Sequence, residues 1–241
     1  MPFSPPIRCR ATDTTLTAVE LWFPDGDENA PSAPFLVRGG ISWPEHVDET
    51  TKRADGFAVV LAYNLARDMA YVFSECQFVT VRHVISPETR EVLYEGLIAW
   101  LRAAWNAYLC DTYYQHQHVA LCENWVRQAR REPEIQPDPR FVACDPPWGD
   151  VRQGESMLWD WLTRRQLAIP AGGKLSMVLR THNRGNDPVL PPALHATVCA
   201  LHGISRNLEQ AREAVRNPQR IVDQVTNPLM VEHPRDWRGN K

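Results

Sequence analysis

The chain has 241 residues, a net charge of −3, 44% hydrophobic and 23% charged residues. That balance suits one large globular domain and leaves no global electrostatic case for nucleic-acid binding, so any such role must rest on locally gathered basic residues. Six cysteines, at 9, 76, 110, 122, 144 and 199, form no CxxC pair; this spacing implies a reduced, intracellular (cytoplasmic) protein without a disulfide framework. The first residues lack a basic and then apolar leader, and no apolar window approaches the length of a membrane span.

In chain order, residues 1–33 read as an N-terminal extension rich in Pro, Thr, Asp and Ser, with 16–23 as an edge strand or docking segment. Residues 35–43 read as a strand interrupted by Gly39 and Gly40, and 45–55 as a polar loop. Residues 57–63 are almost continuously apolar, which suits a strand covered on both faces. A turn at 64–68 leads into a strand over 69–81, and the short connection makes the two strands an antiparallel hairpin. Ser86 is a good N-cap and Pro87 suits a first helical turn. Val92, Leu93, Leu97, Trp100, Leu101, Ala104, Trp105 and Tyr108 then form one apolar helical stripe. A second amphipathic stretch covers 119–131, and a Pro-rich break occupies 132–139.

Residues 141–144 read as a short buried strand. Pro146 and Pro147 cannot donate to a ladder, so the strand stops and holds Asp145 at its carboxyl end. Sites of α/β sheets are usually built there. Beyond it, 156–167 reads as a helix, 170–173 as a turn, 174–180 as a strand and 191–225 as mostly helical. The last residues, 226–241, read as a polar tail. The hairpin has no room for the crossover that a parallel pair requires. The order therefore predicts an α/β, ribonuclease H-like domain over 34–225: a mixed sheet with an antiparallel three-strand meander followed by alternating helices and parallel strands.

Arg38-Gly39-Gly40-Ile41-Ser42-Trp43, then Gly56-Phe57-Ala58-Val59-Val60, then Tyr71-Val72-Phe73-Ser74-Glu75, together with the acidic strand 141–149, resemble the nuclease domain of phage large terminase subunits. The resemblance implies a metal-dependent DNA endonuclease in a phage setting, within the bacterial host cytoplasm. Two Mg2+ or Mn2+ ions held by carboxylates would activate water and stabilise the leaving oxygen. It implies catalytic and metal roles for Asp145 and Glu75, with a third acid from the late helices. Asp223 is the first candidate there, with Glu209 and Glu213 as others. Ser42 stands where the family carries its first-strand Asp, and a neutral hydroxyl is a poor ligand for a hard cation. No GxxxxGK[ST] loop occurs, so the resemblance implies a nuclease part without its ATPase motor, acting on double-stranded DNA beside a separate packaging motor or another phage protein. Ser42 equally opens a catalytically inactive binding or assembly protein on the same fold.

Asp145-Pro146-Pro147-Trp148 also resembles the target-binding motif of adenine-N6 methyltransferases, which implies S-adenosylmethionine and a flipped base. The turn 170–173 leading into 174–180 resembles the next turn and strand of that fold, but no convincing glycine-rich cofactor loop accompanies it. His116, His118 and Cys122 form an H-x-H-x3-C cluster of zinc-ligand types with no fourth ligand evident nearby. His182, Asn183 and Arg184 come directly after an expected strand and are candidates for phosphate contacts. Arg212 and Arg216, four apart on an expected helix, are candidates for tracking a nucleic-acid backbone. Arg127, Arg130 and Arg131 are read as a basic helix end favoured by the dipole.

Overall fold

The computed structural model describes residues 8–11, 19–22, 34–44, 53–81, 95–116, 126, 139–144, 151–183 and 190–216. Its strands are β1 (Arg8–Ala11), β2 (Val19–Trp22), β3 (Pro34–Ser42), β4 (Arg53–Asn64), β5 (Met69–Val81), β6 (Thr112–Gln115), β7 (Arg140–Ala143) and β8 (Leu167–Ala168). Its helices are α1 (Glu95–Tyr108), α2 (Val151–Thr163), α3 (Lys174–Thr181) and α4 (Pro192–Arg216).

β3, β4 and β5 form the antiparallel meander. β6 then lies parallel to β3, and β7 parallel to β6. This is the ribonuclease H-like order expected from the sequence. The outer edge of β3 is shared. β2 pairs with its first residues, Pro34 and Phe35, and β6 takes over at Gly39 and Gly40. Residues of the N-terminal stretch thereby extend the sheet, and β8 closes the other side beside β5.

Alternation along β3 and β4 divides the core between two faces. Phe35, Val37, Ile41, Ala58, Val60 and Ala62 face α1. Leu36, Val59, Leu61 and Tyr63 face α2, α3 and α4, where they meet Leu158, Leu175, Leu194 and Leu201. Each such buried aliphatic contributes about 1.5–3 kcal/mol over its exposed state. Both faces of β4 are therefore dry, which is why its apolar run shows no alternation.

Gly39 and Gly40 are packing positions rather than a break in the strand. A Cβ on Gly39 would lie 2.1 Å from the Tyr113 ring, and one on Gly40 1.9 Å from the Ala196 carbonyl. The missing side chains let β6's aromatic cover one face and the α4 backbone lie directly on the other.

The structure corrects several expectations. Residues 174–180 are helical, not a strand. Leu175 is buried, Val178 and Leu179 pack beside it, and Met177 is 51% exposed. That is helical spacing, although Leu175, Met177 and Leu179 also mimic alternation. β8 occupies Leu167 and Ala168 instead, and α2 starts earlier than the helix expected at 156. β4 begins at Arg53, inside the expected loop. The strand beside β3 is β6, a four-residue element not anticipated, so β7 lies one strand further out. The expected helix start at Ser86, the stretch 119–131 apart from Val126, and the tail 226–241 lie outside the described residues.

Candidate functional site

The carboxyl ends of β3, β6 and β7 converge. Ser42 ends β3 and Trp43 follows it, and Trp43 Nε1 donates to Gln115 Oε1 at 2.6 Å. Gln115 is fully buried at the end of β6, and its carbonyl accepts from the Cys144 amide at 2.7 Å. The side-chain amide and backbone of one residue thus tie the three strand ends together.

α4 brings the remaining group. Pro192 opens it with the φ that a first helical turn requires. The helix then runs over Gly40 toward Gly203, whose missing Cβ admits the Tyr114 ring. Asn207 Nδ2 donates to Tyr114 Oη at 2.6 Å. This register sets His195 above Ser42, with Ser42 Oγ 3.2 Å from His195 Nδ1. The His116 and His195 rings stand edge to face, centroids 5.3 Å apart at 60°. Burial, and then the neighbouring His116, push the His195 pKa down to about 4, so its imidazole is neutral at pH 7.

Glu75 lies elsewhere. The register between β4 and β5 shifts at Val60/Leu61, with Val60 opposite Ser74 and Leu61 opposite Val72. Phe73 is the extra residue of this bulge, and alternation inverts beyond it. Glu75 therefore points to the α3 side, opposite to the Tyr71/Phe73 face expected for it. There its carboxylate accepts from the Lys174 and Leu175 amides, the latter at 3.1 Å. Gly173, at the N-cap, has no side chain for that task. Glu75 supplies the cap for α3.

The expected nucleic-acid contacts are dispersed. The His182 side chain is only 1% exposed, and its Nε2 lies 2.9 Å from Glu155 Oε1. That buried pairing joins α3 to α2 and withdraws the imidazole from solvent. Asn183 is exposed just past α3. Arg212 binds Asp68 at 2.8 Å and Glu209 at 3.0 Å, at the far end of α4 from Ser42. Arg216 is exposed beyond it. Glu209 and Glu213 lie on the late helix, as expected for a third acid, at its far end from Ser42. Asp145, Trp148, Arg184, Asp223, His118 and Cys122 lie outside the described residues.

Sequence reasoning missed His195 and the pairing of His116 with it. The available signal was a polar ring inside the otherwise apolar start of α4, between Leu194 and Ala196. Among the described residues no three His, Cys, Asp or Glu gather as a metal-binding group. Among the described residues the donors gathered at these strand ends are one hydroxyl and two imidazoles. The imidazoles are softer donors than the carboxylate and water oxygens that hard Mg2+ or Mn2+ ions prefer, and Asp145 lies outside the described residues. The methyltransferase resemblance loses its supports in the described region: β3 to β5 form an antiparallel meander, and 174–180 is a helix.

No family model and no curated protein sequence matches the chain. Among solved structures, it is similar to the large terminase nuclease from thermophilic phage G20c with bound zinc. The identity is 12%, the TM-score 0.40, and the match covers 82% of this chain and 92% of that one. The fold assignment stands on the strand order itself. No helix among the described residues is long and apolar enough to cross a membrane.

Proposed function

We propose that this chain is a metal-dependent DNA nuclease domain of terminase type. Its site lies at the carboxyl ends of β3, β6 and β7. The observation that carries the reading is the meeting of Ser42, His116 and His195 at that point, with α4 laid across Gly40 to deliver His195. Asp145 comes directly after Cys144 in the chain and supplies the carboxylate of the proposed site. A strand end gathering a carboxylate, two imidazoles and a hydroxyl offers general-base and phosphate-orienting groups for phosphodiester hydrolysis. Double-stranded DNA and a separate packaging motor are the proposed partners.

The test is plasmid nicking by the full chain with single divalent cations, compared with Asp145→Ala. Cation-dependent nicking that disappears in Asp145→Ala supports the reading. Nicking that survives the substitution removes Asp145 from the site.

A second reading has its own observations. Ser42 replaces one expected carboxylate, and Glu75 is committed to capping α3. Both favour a protein that binds DNA or an assembly partner on a nuclease fold without cutting. DNA retention in gel-shift assays with no nicking under any cation would select it.

A further inference from the structure

The His116 and His195 rings stand at a separation compatible with a shared ion, and His195 has an orienting partner in Ser42. Two imidazoles on one tetrahedral ion, with metal–nitrogen bonds of about 2.0–2.1 Å, place their ring centroids roughly 5 Å apart. The observed separation is 5.3 Å, with the rings inclined at 60°. His195 also carries the support that metal-bound imidazoles use. Its Nδ1 is engaged by Ser42 Oγ at 3.2 Å, which fixes the ring orientation and leaves Nε2 as the donor. Ser42 is 5% exposed and held at the end of β3, so this support is rigid. The donor type decides the ion. Neutral nitrogen donors suit zinc, cobalt or nickel and poorly suit magnesium or calcium.

We infer that His116 and His195 are the imidazole ligands of a single divalent ion of the zinc class, with Ser42 as the positioning residue that orients His195. This replaces the carboxylate-bound Mg2+ or Mn2+ pair implied by the terminase resemblance. The inference rests on the reading of this end of the sheet as the functional site. Two protein nitrogens leave positions for water or a phosphate oxygen, so the ion would be open, unlike a four-ligand structural site.

The test uses the full chain, stripped with chelator and dialysed, titrated with Co2+ and then Zn2+ in the absence of DNA. One Co2+ per chain is expected, with the visible absorption of a four-coordinate nitrogen–oxygen set, displaced by Zn2+. His116→Ala and His195→Asn should each weaken Co2+ binding roughly tenfold or more, and Ser42→Ala roughly tenfold with the stoichiometry kept. Circular dichroism verifies that each variant is folded; where His195→Asn fails, the half-buried His116→Ala decides. Unchanged Co2+ affinity in a folded histidine variant overturns the site, as does the absence of Co2+ and Zn2+ binding to the parent chain. The two proposals fail separately. Histidine-dependent Co2+ binding without nicking removes the nuclease reading alone. Magnesium-supported nicking that persists in both histidine variants removes the imidazole site alone.

Discussion

At the residue scale, a carboxylate's role is decided by which amides it reaches. Glu75 accepts from the first amides of α3, whose N-cap is a glycine. Glu75→Ala should lower stability by about 0.5–2 kcal/mol, the usual cost of losing a cap. Urea denaturation measures this, and Co2+ titration of the same variant should be unchanged. Lost Co2+ binding would restore Glu75 to the site. The carboxylate was visible in the sequence but its direction was not, because one extra residue at Phe73 reverses every later side chain without any compositional mark. His195 gives a pH prediction. Its folded pKa of about 4 lies below the ordinary histidine value of 6.5. The unfolded chain therefore takes up its proton first as pH falls. In chelator, this histidine's contribution is full above about pH 6.5 and is lost progressively down to about pH 4, amounting to at most about 3 kcal/mol. Urea midpoints across that window should fall less in His195→Asn than in the parent. Equal slopes would show that another group dominates the acid limb.

At the element scale, α4 depends on a bare patch of β3. A methyl group on Gly40 would meet backbone, the Ala196 carbonyl, rather than a side chain that rotates away. Gly40→Ala should therefore cost at least about 1–3 kcal/mol, the range for overpacking. It should also lift His195 from Ser42. Weaker Co2+ binding in a variant that still shows native circular dichroism would report that displacement, and unchanged stability would show that α4 slides freely. Among the elements, β4 and the β4–β5 hairpin were legible, since an apolar run and a short Asn64-to-Asp68 turn leave few alternatives. β6 was not legible. Thr112-Tyr113-Tyr114-Gln115 is short and half polar, and it is a strand because β3 and β7 flank it. α3 was misread for a related reason: its apolar residues satisfy both periods, and only the packing of half-buried Val178 on the core against the exposure of Met177 separates them.

At the scale of the whole molecule, the chain order carried the topology. A hairpin too short for a crossover forces an antiparallel start, and the helix-rich remainder then returns parallel strands to β3. The site was only partly legible, because its members come from three separated regions. Ser42 drew attention through a motif and His116 through a histidine cluster. His195 enters solely through the path of α4 over Gly40. The far end of α4 is a structural anchor: Arg212 ties it to Asp68, which also accepts from Tyr63 and Gln166. Arg212 is 32% exposed, so Arg212→Ala should cost no more than about 1 kcal/mol. With DNA as the proposed partner, the salt dependence of that binding should be unchanged in this variant. A shallower slope would place Arg212 on the DNA path after all.

The bulge at Phe73 makes β5 a strand whose two halves obey opposite parity. Tyr108 Oη reaches the Phe73 carbonyl at 3.5 Å, and Trp100 Nε1 donates to Ser74 Oγ at 2.7 Å, so α1 reads the odd residue from one side. Excising Phe73 alone would remove the bulge and leave Val72 and Ser74 in unbroken alternation opposite Leu61 and Val60. Glu75 would keep the α3 side and Phe78 the α1 side, because each already pairs as it would in a regular strand. A one-residue deletion here thus leaves inside and outside unchanged along the strand, whereas the same deletion a few residues later would reverse the residues beyond it.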